Sequence, residues 1–199
     1  MASTTVGESV RSYQTAVHQA LDRLSPDAVG RVAQEILAAH DREARIFVFG
    51  NGGSAATADH MVCDLSKNTA VGAEPQLRCH SLVANTSLIT ALANDLGYEA
   101  IFAQQLRQAH VHARDLVIAI SGSGNSPNIL AGVATALAAG ARTVAITGLG
   151  GGRLAPIVDV ALVVPSDCME IVEDVHLMVN HAITISVRAA FHERVLVPA

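Results

Sequence analysis

The sequence predicts an α/β fold: a three-layer sandwich in which helices flank a central parallel sheet of about five strands. Three observations carry this. From Arg45 onward, short apolar runs alternate with longer segments of helical period. The apolar runs are rich in Val and Ile and nearly free of polar residues, as strands covered on both faces are. Two of them end in polar glycine turns that open helices, "GNGGS" at 50–54 and "SGSGNS" at 121–126, which is the grammar of βαβ units.

The elements follow in order. Roughly Val6–Leu24 is helical, with Val10, Tyr13, Val17, Leu21 and Leu24 recurring at threes and fours. Asp27–His40 is a second helix, started by Ser25-Pro26-Asp27, because Pro is tolerated in a first turn. "RIFVFG" at 45–50 is the first strand, and a helix follows its turn. "HSLVA" at 80–84 reads as the second strand, followed by the helical runs "NTSLITALANDLG" and "YEAIFAQQLRQA". "DLVIAI" at 115–120, "RTVAITG" and "VALVVP" complete the strands, with the helix "NILAGVATALAAGA" after the second glycine turn. "GGGR" at 150–153 reads as a loop, and a long amphipathic helix from about Met169 to Glu193 closes the chain.

With 199 residues the chain fits one domain, a helical pair at 1–40 and an α/β core at 45–193, long enough to bury a sizeable core. Half of the residues are hydrophobic but only 3% aromatic, which suits close packing of Ala- and Val-rich elements. Thirteen basic against 18 acidic residues leave a formal charge of −5, which argues against a nucleic-acid surface built on clustered cations. No apolar run reaches the length of about 18 residues that a membrane span needs, and "MASTTVGESVRSYQ" lacks the apolar centre of a signal peptide. Cys63, Cys79 and Cys168 are odd in number and widely spaced, so neither a disulfide framework nor a CxxC zinc site is indicated. The expectation is a cytoplasmic protein without nucleic-acid or membrane partners.

The two turns are expected at the carboxyl edge of the sheet, where open α/β sheets bind ligands. In "SGSGNS", Gly122 lets the backbone come close, Ser121, Ser123 and Ser126 offer hydroxyls beside Asn125, and the next helix presents free N–H groups. Without a lysine, and without GxxxxGK[ST] or GxGxxG, this cradle suits a monophosphate rather than ATP or a dinucleotide. "GNGGS" is a weaker form, in which Asn51, Gly52, Gly53 and Ser54 bind a sugar or phosphate or simply open the helix. His60 and Asp64, at i and i+4, share one helix face and suit either a metal or an acid/base pair. In the last helix Glu173 and His176 share a face at i, i+3, while Glu173 and His181 lie about 80° apart, so spacing alone favours Glu173 with His176; a core histidine at 176 is the alternative. "ANDLG" puts Asn94 and Asp95 at a helix end, with Asp95 a possible acceptor for sugar hydroxyls.

Together "GNGGSAATADHMVCDL", "ANDLGYEAIF", "ISGSGNSPNIL", "ITG" and "EIVEDVHLMVNHAI" resemble the sugar isomerase (SIS) domain family, and within it the phosphoheptose isomerase branch, over about residues 40–190. The resemblance implies a phosphate loop at Ser121, Ser123 and Ser126, substrate contacts at Asn51, Ser54 and Asp95, and a metal and catalytic group at His60, Asp64, Glu173 and His181. It thereby prefers His181 to His176. It also implies a divalent metal such as Zn²⁺, a homotetramer with active sites between subunits, and isomerisation of sedoheptulose 7-phosphate to glycero-manno-heptose 7-phosphate through an enediol(ate). Asp64 or Glu173 would be the base and His181 the acid. Three departures stand out: Asp64 for the usual Glu, Glu173 for the usual Gln, and Asn68 where "ELxGR" has arginine. They leave open an isomerase of another phosphosugar in a secondary-metabolite pathway, and a non-catalytic relative that binds DnaA or senses phosphosugars.

Overall fold

A computed structural model describes residues 5–72 and 76–196. The first helix, α1 (Val6–Arg23), starts in a capping box: Thr5 accepts from the Glu8 N–H, and the Glu8 carboxylate accepts from the Thr5 backbone. In α2 (Pro26–Asp41) the Ser25 side chain accepts from the Ala28 N–H and Pro26 occupies the first turn, as the sequence predicts. The chain continues through β1 (Arg45–Gly50), α3 (Gly53–Lys67), β2 (Arg78–Ser81), α4 (Thr86–Leu96), α5 (Ile101–Gln108) and β3 (Leu116–Ser121). It ends with α6 (Pro127–Ala138), β4 (Arg142–Thr147), β5 (Val160–Val163) and α7 (Met169–Leu196). No helix among the described residues is long and apolar enough to cross a membrane.

The five strands are all parallel, in the order β2-β1-β3-β4-β5. Side chains alternate between faces along each strand. Ile46, Val48, Leu116, Ile118, Ile120, Val144 and Ile146 join the core under α2, α3 and α7. Phe47, Phe49, Val117, Ala119 and Ala145 join the core under α4, α5 and α6. On that second face Phe49 stacks on Phe102 with ring centroids 4.7 Å apart. Gly132 of α6 makes room for the pair, because a Cβ there would meet Phe49 Cζ at 2.8 Å.

The second strand lies at 78–81, a little before the predicted 80–84, and its side chains are alternately exposed and half-buried. It is an edge strand that pairs only with β1. The order fixes the position of the cleft. After β1 the chain crosses to β2 on one side and then returns past β1 to β3 on the other. The connections leaving β1 and β3 therefore diverge, and a crevice opens between them at the carboxyl edge. Both glycine turns sit there.

Candidate active site

The turn after β3 holds itself in shape. Ser121 Oγ accepts the Gly124 N–H and Ser123 Oγ accepts the Asn125 N–H, both at 3.2 Å. Ser126 is the N-cap of α6, yet its hydroxyl makes no capping bond; Gly52, the N-cap of α3, has no side chain to offer. By contrast α1, α2 and α4 are capped by Thr5, Ser25 and Asn85. At the start of α3 no side chain takes the first N–H groups, whereas in α6 Pro127 carries none and the Ile129 N–H already donates to Asn128 Oδ1 at 3.0 Å; both helices still turn their positive ends to the crevice. Between them lies a cavity of about 170 Å³ lined by Asn51, Ser54, Ser121, Gly122, Ser123 and Ser126, with Met169 and Glu173 entering from α7. Among the described residues no Lys or Arg lines it, so an anion there would meet hydroxyls and helix N-termini rather than cations, with the Glu173 carboxylate beside it.

Glu173 leans onto the start of α3. A Cβ on Gly53 would lie 2.5 Å from Glu173 Oε2, so only glycine lets the carboxylate rest there. A negative group over a helix N-terminus is favourable. From this point α3 and α7 run side by side, and the seven residues from Gly53 to His60 match the eight from Glu173 to His181.

Farther along, His60, Asp64 and His181 come together. His60 Nε2 is 3.3 Å from His181 Nε2 and 3.4 Å from Asp64 Oδ2, and His181 Nε2 is 3.7 Å from the same oxygen. Bonds of about 2.0–2.1 Å to a tetrahedral ion set ligand atoms roughly 3.3–3.4 Å apart, so the spacing fits a zinc-like cation. Two imidazoles and a carboxylate are also the right chemistry, and three protein ligands leave a position for substrate. Asp64 is buried, whereas both histidines are about half exposed.

Glu173 does not join this group: eight residues along α7 are about 12 Å of rise, which puts it at the cradle instead. The spacing argument for His176 also fails. His176 is 1% exposed and faces the core; burial lowers its pKa below the ordinary imidazole range, with the Thr147 carbonyl opposing. His181, one position beyond the buried Asn180, emerges at the α3 side.

The other predicted positions take varied places. Asn51 lines the cavity, but its Oδ1 already accepts from Tyr98 Oη at 3.0 Å and Asn128 Nδ2 at 2.8 Å, and its Nδ2 donates to Asn128 Oδ1 at 2.9 Å. Asn125 points away from the cavity: it donates to the Ser123 carbonyl and accepts the Arg153 N–H at 3.0 Å, tying the cradle to the "GGGR" segment. That segment contains a 3₁₀ turn, Leu149–Gly151, and is packed against Gly124. Asn94 and Asp95 are exposed and bonded to each other at 2.7 Å, near the end of α4. Asn128, Tyr98 and Asn180 were not singled out from the sequence. Asn128 follows the cap directly and Asn180 precedes His181, but nothing local marks Tyr98.

The SIS domain model matches residues 12–148. A "Probable phosphoheptose isomerase" of Thermoplasma acidophilum is 40% identical over 152 residues, covering 76% of this chain and 82% of that protein. The phosphoheptose isomerase of Mycobacterium tuberculosis is 37% identical over 163 residues, 82% of each. Among solved structures, the phosphoheptose isomerase of Neisseria gonorrhoeae superposes with a TM-score of 0.85 at 28% identity, covering 93% of this chain and 100% of that one. The chain therefore belongs to the SIS domain family and, within it, to the phosphoheptose isomerases, a branch of sugar-phosphate isomerases.

Proposed function

We propose that this chain interconverts sedoheptulose 7-phosphate and D-glycero-D-manno-heptose 7-phosphate, with the phosphate in the 121–126 cradle and C1–C2 at His60, Asp64 and His181. The observation that carries this is the separation of the two ends of the crevice. From Gly53 to His60 is about 10 Å of helix rise. At about 1.2 Å of reach per bond, C2 and phosphorus lie roughly 8 Å apart in an extended heptose 7-phosphate and roughly 6 Å apart in a pentose 5-phosphate, so the longer sugar suits the span. The phosphate binds far from the reacting carbons and uses its binding energy to orient them.

Aldose–ketose exchange moves a proton between C1 and C2 and passes charge to the oxygens. We assign that traffic to Asp64 and His181, with His60 completing the group that holds a divalent ion, Zn²⁺ in the first instance. Such an ion supplies Lewis-acid stabilisation of charge developing on oxygen. Glu173, at the cradle end, accepts hydrogen bonds from hydroxyls along the sugar and stays clear of C1–C2 within its own chain. Met178 and Ile185, exposed on α7 either side of His181, support a second copy closing over the crevice, as in a homotetramer. Purified protein incubated with ketose and aldose phosphates of five to seven carbons, followed by NMR, tests this. Interconversion of the heptose pair in preference to the shorter sugars is the expected result. Exchange confined to another phosphosugar would support the secondary-metabolite reading, and none at all would remove the catalytic one.

A further inference from the structure

We propose that Asn68 and Asn180 are positioning residues: two amides that clamp the Asp64 carboxylate, one on each oxygen, and aim its Oδ2 at the two imidazoles. The inference rests on the reading that His60, Asp64 and His181 hold a divalent ion. Asn68 Nδ2 donates to Asp64 Oδ1 at 2.9 Å, and Asn180 Nδ2 donates to Oδ2 at 3.1 Å. The first amide comes from the end of α3 itself; the second crosses from α7. Asn68 is doubly tied, because as the C-cap of α3 its backbone N–H also donates to the Asp64 carbonyl at 2.7 Å.

A carboxylate on a single methylene swivels about its Cβ–Cγ bond. An N–H on each oxygen, from two different helices, fixes the plane of the group. The lone pair left on Oδ2 then looks toward His60 and His181, whose Nε2 atoms are 3.4 and 3.7 Å away. Carboxylate ligands to metals are held in this way, by hydrogen bonds from groups that do not touch the ion.

Asn180 shows that the arrangement serves the site and not the core. It is fully buried on a face shared with Val179, Ile183 and Val187, where an aliphatic side chain would pack without cost. Its Oδ1 makes no hydrogen bond. Turning the amide over would bring that oxygen against Asp64, so the amide keeps its N–H on the carboxylate and tolerates an orphaned oxygen. A buried polar group in that condition calls for an explanation beyond stability.

The test uses Asn68→Ala, at the half-buried end of a helix where folding is not at risk, and Asn180→Leu, close in shape and suited to its neighbours. Co²⁺ is titrated into the metal-free full-length protein and its visible absorption recorded, and kcat and KM are measured separately with the phosphosugar turned over best. Each substitution is expected to weaken Co²⁺ binding about 10- to 100-fold, change the absorption spectrum and lower kcat, leaving KM within about twofold because the phosphate cradle is untouched. Unchanged Co²⁺ affinity and spectrum in both variants would overturn the clamp, as would a raised KM at constant kcat. A wild-type protein that binds no Co²⁺ overturns it too. Isomerisation by that same protein would still uphold the activity, so the two readings fall separately.

Discussion

Asp64 and Asp115 are both buried carboxylates, and their partners separate the candidate site from the scaffold. Asp115 lies at the opposite edge of the sheet in a closed network. Arg45 reaches it through Nη2 at 2.6 Å and Nε at 3.1 Å, and the His112 N–H donates at 3.0 Å. Burial pushes its carboxyl up, but the Arg45 guanidinium and the N–H groups of His112 and Arg45 hold it below the usual carboxylate range. Because the folded pKa lies below the unfolded one, this stabilisation is present above about pH 4 and is lost as pH falls through the folded value. Asp115→Asn, which leaves Arg45 without its counter-charge, is expected to cost about 3–5 kcal/mol at pH 7, roughly 10 °C in melting temperature, with the gap to wild type narrowing below pH 4. Thermal melts at pH 7 and pH 3.5 check this, and a gap of constant size would sink it. Asp64 has no such guanidinium; it faces two imidazoles and two amides. The sequence pattern flagged Asp64 and Asn68 as separate departures from the family. They are in fact bonded to each other, which a one-dimensional motif does not show.

At the level of elements, the strands of the sheet interior were legible because burial on both faces leaves an unbroken apolar run. The edge strand β2 starts two residues and ends three residues before the predicted 80–84, because an edge strand exposes residues such as Arg78 and breaks the apolar run that marks an interior strand. The start of α2 was legible through Ser25-Pro26, and the cradle through its serines. The interlock between the cradle and the "GGGR" segment was not, since it depends on two loops far apart in sequence. Gly124 has φ of 62°, and a Cβ there would run into the Gly151 carbonyl oxygen. The Leu154 N–H also donates to the Gly124 carbonyl at 3.0 Å. Gly124→Ala therefore combines left-handed strain of about 1–2 kcal/mol with overpacking of about 1–3 kcal/mol. A fall in melting temperature on the order of 10 °C, with a raised KM as the cradle shifts, is the expected outcome; a variant matching wild type in both would show that the loops are not coupled.

At the scale of the whole molecule, part of the exposed apolar surface lies beside His181 and part on α1. Met178 and Ile185 are 37% and 56% exposed on either side of His181, and Val6 and Val10 of α1 are 83% and 51% exposed. Side-chain spacing cannot separate a face meant for a second copy from one meant for the core. If the crevice closes between copies, Met178→Asp with Ile185→Asp will shift the protein toward monomer in light scattering and cut kcat at least tenfold, leaving the monomer folded. A wild type that is monomeric at micromolar concentration would remove this reading.

Such a surface also poses a problem for α7. With Met178 and Ile185 on its outer side as well as Val172, Val175, Val179, Ile183 and Val187 on its inner side, apolar residues lie on both sides of the helix, and burial of the inner set is not the sole guide to its rotation. The buried stripe of His176, Asn180 and Thr184, one residue per turn, adds polar groups to that burial. In the observed rotation the Asn180 amide meets an acceptor, and that acceptor is Asp64. If Asn180 clamps Asp64, the same bond that steadies the carboxylate also helps to set the turn of the helix on which His181 emerges beside His60.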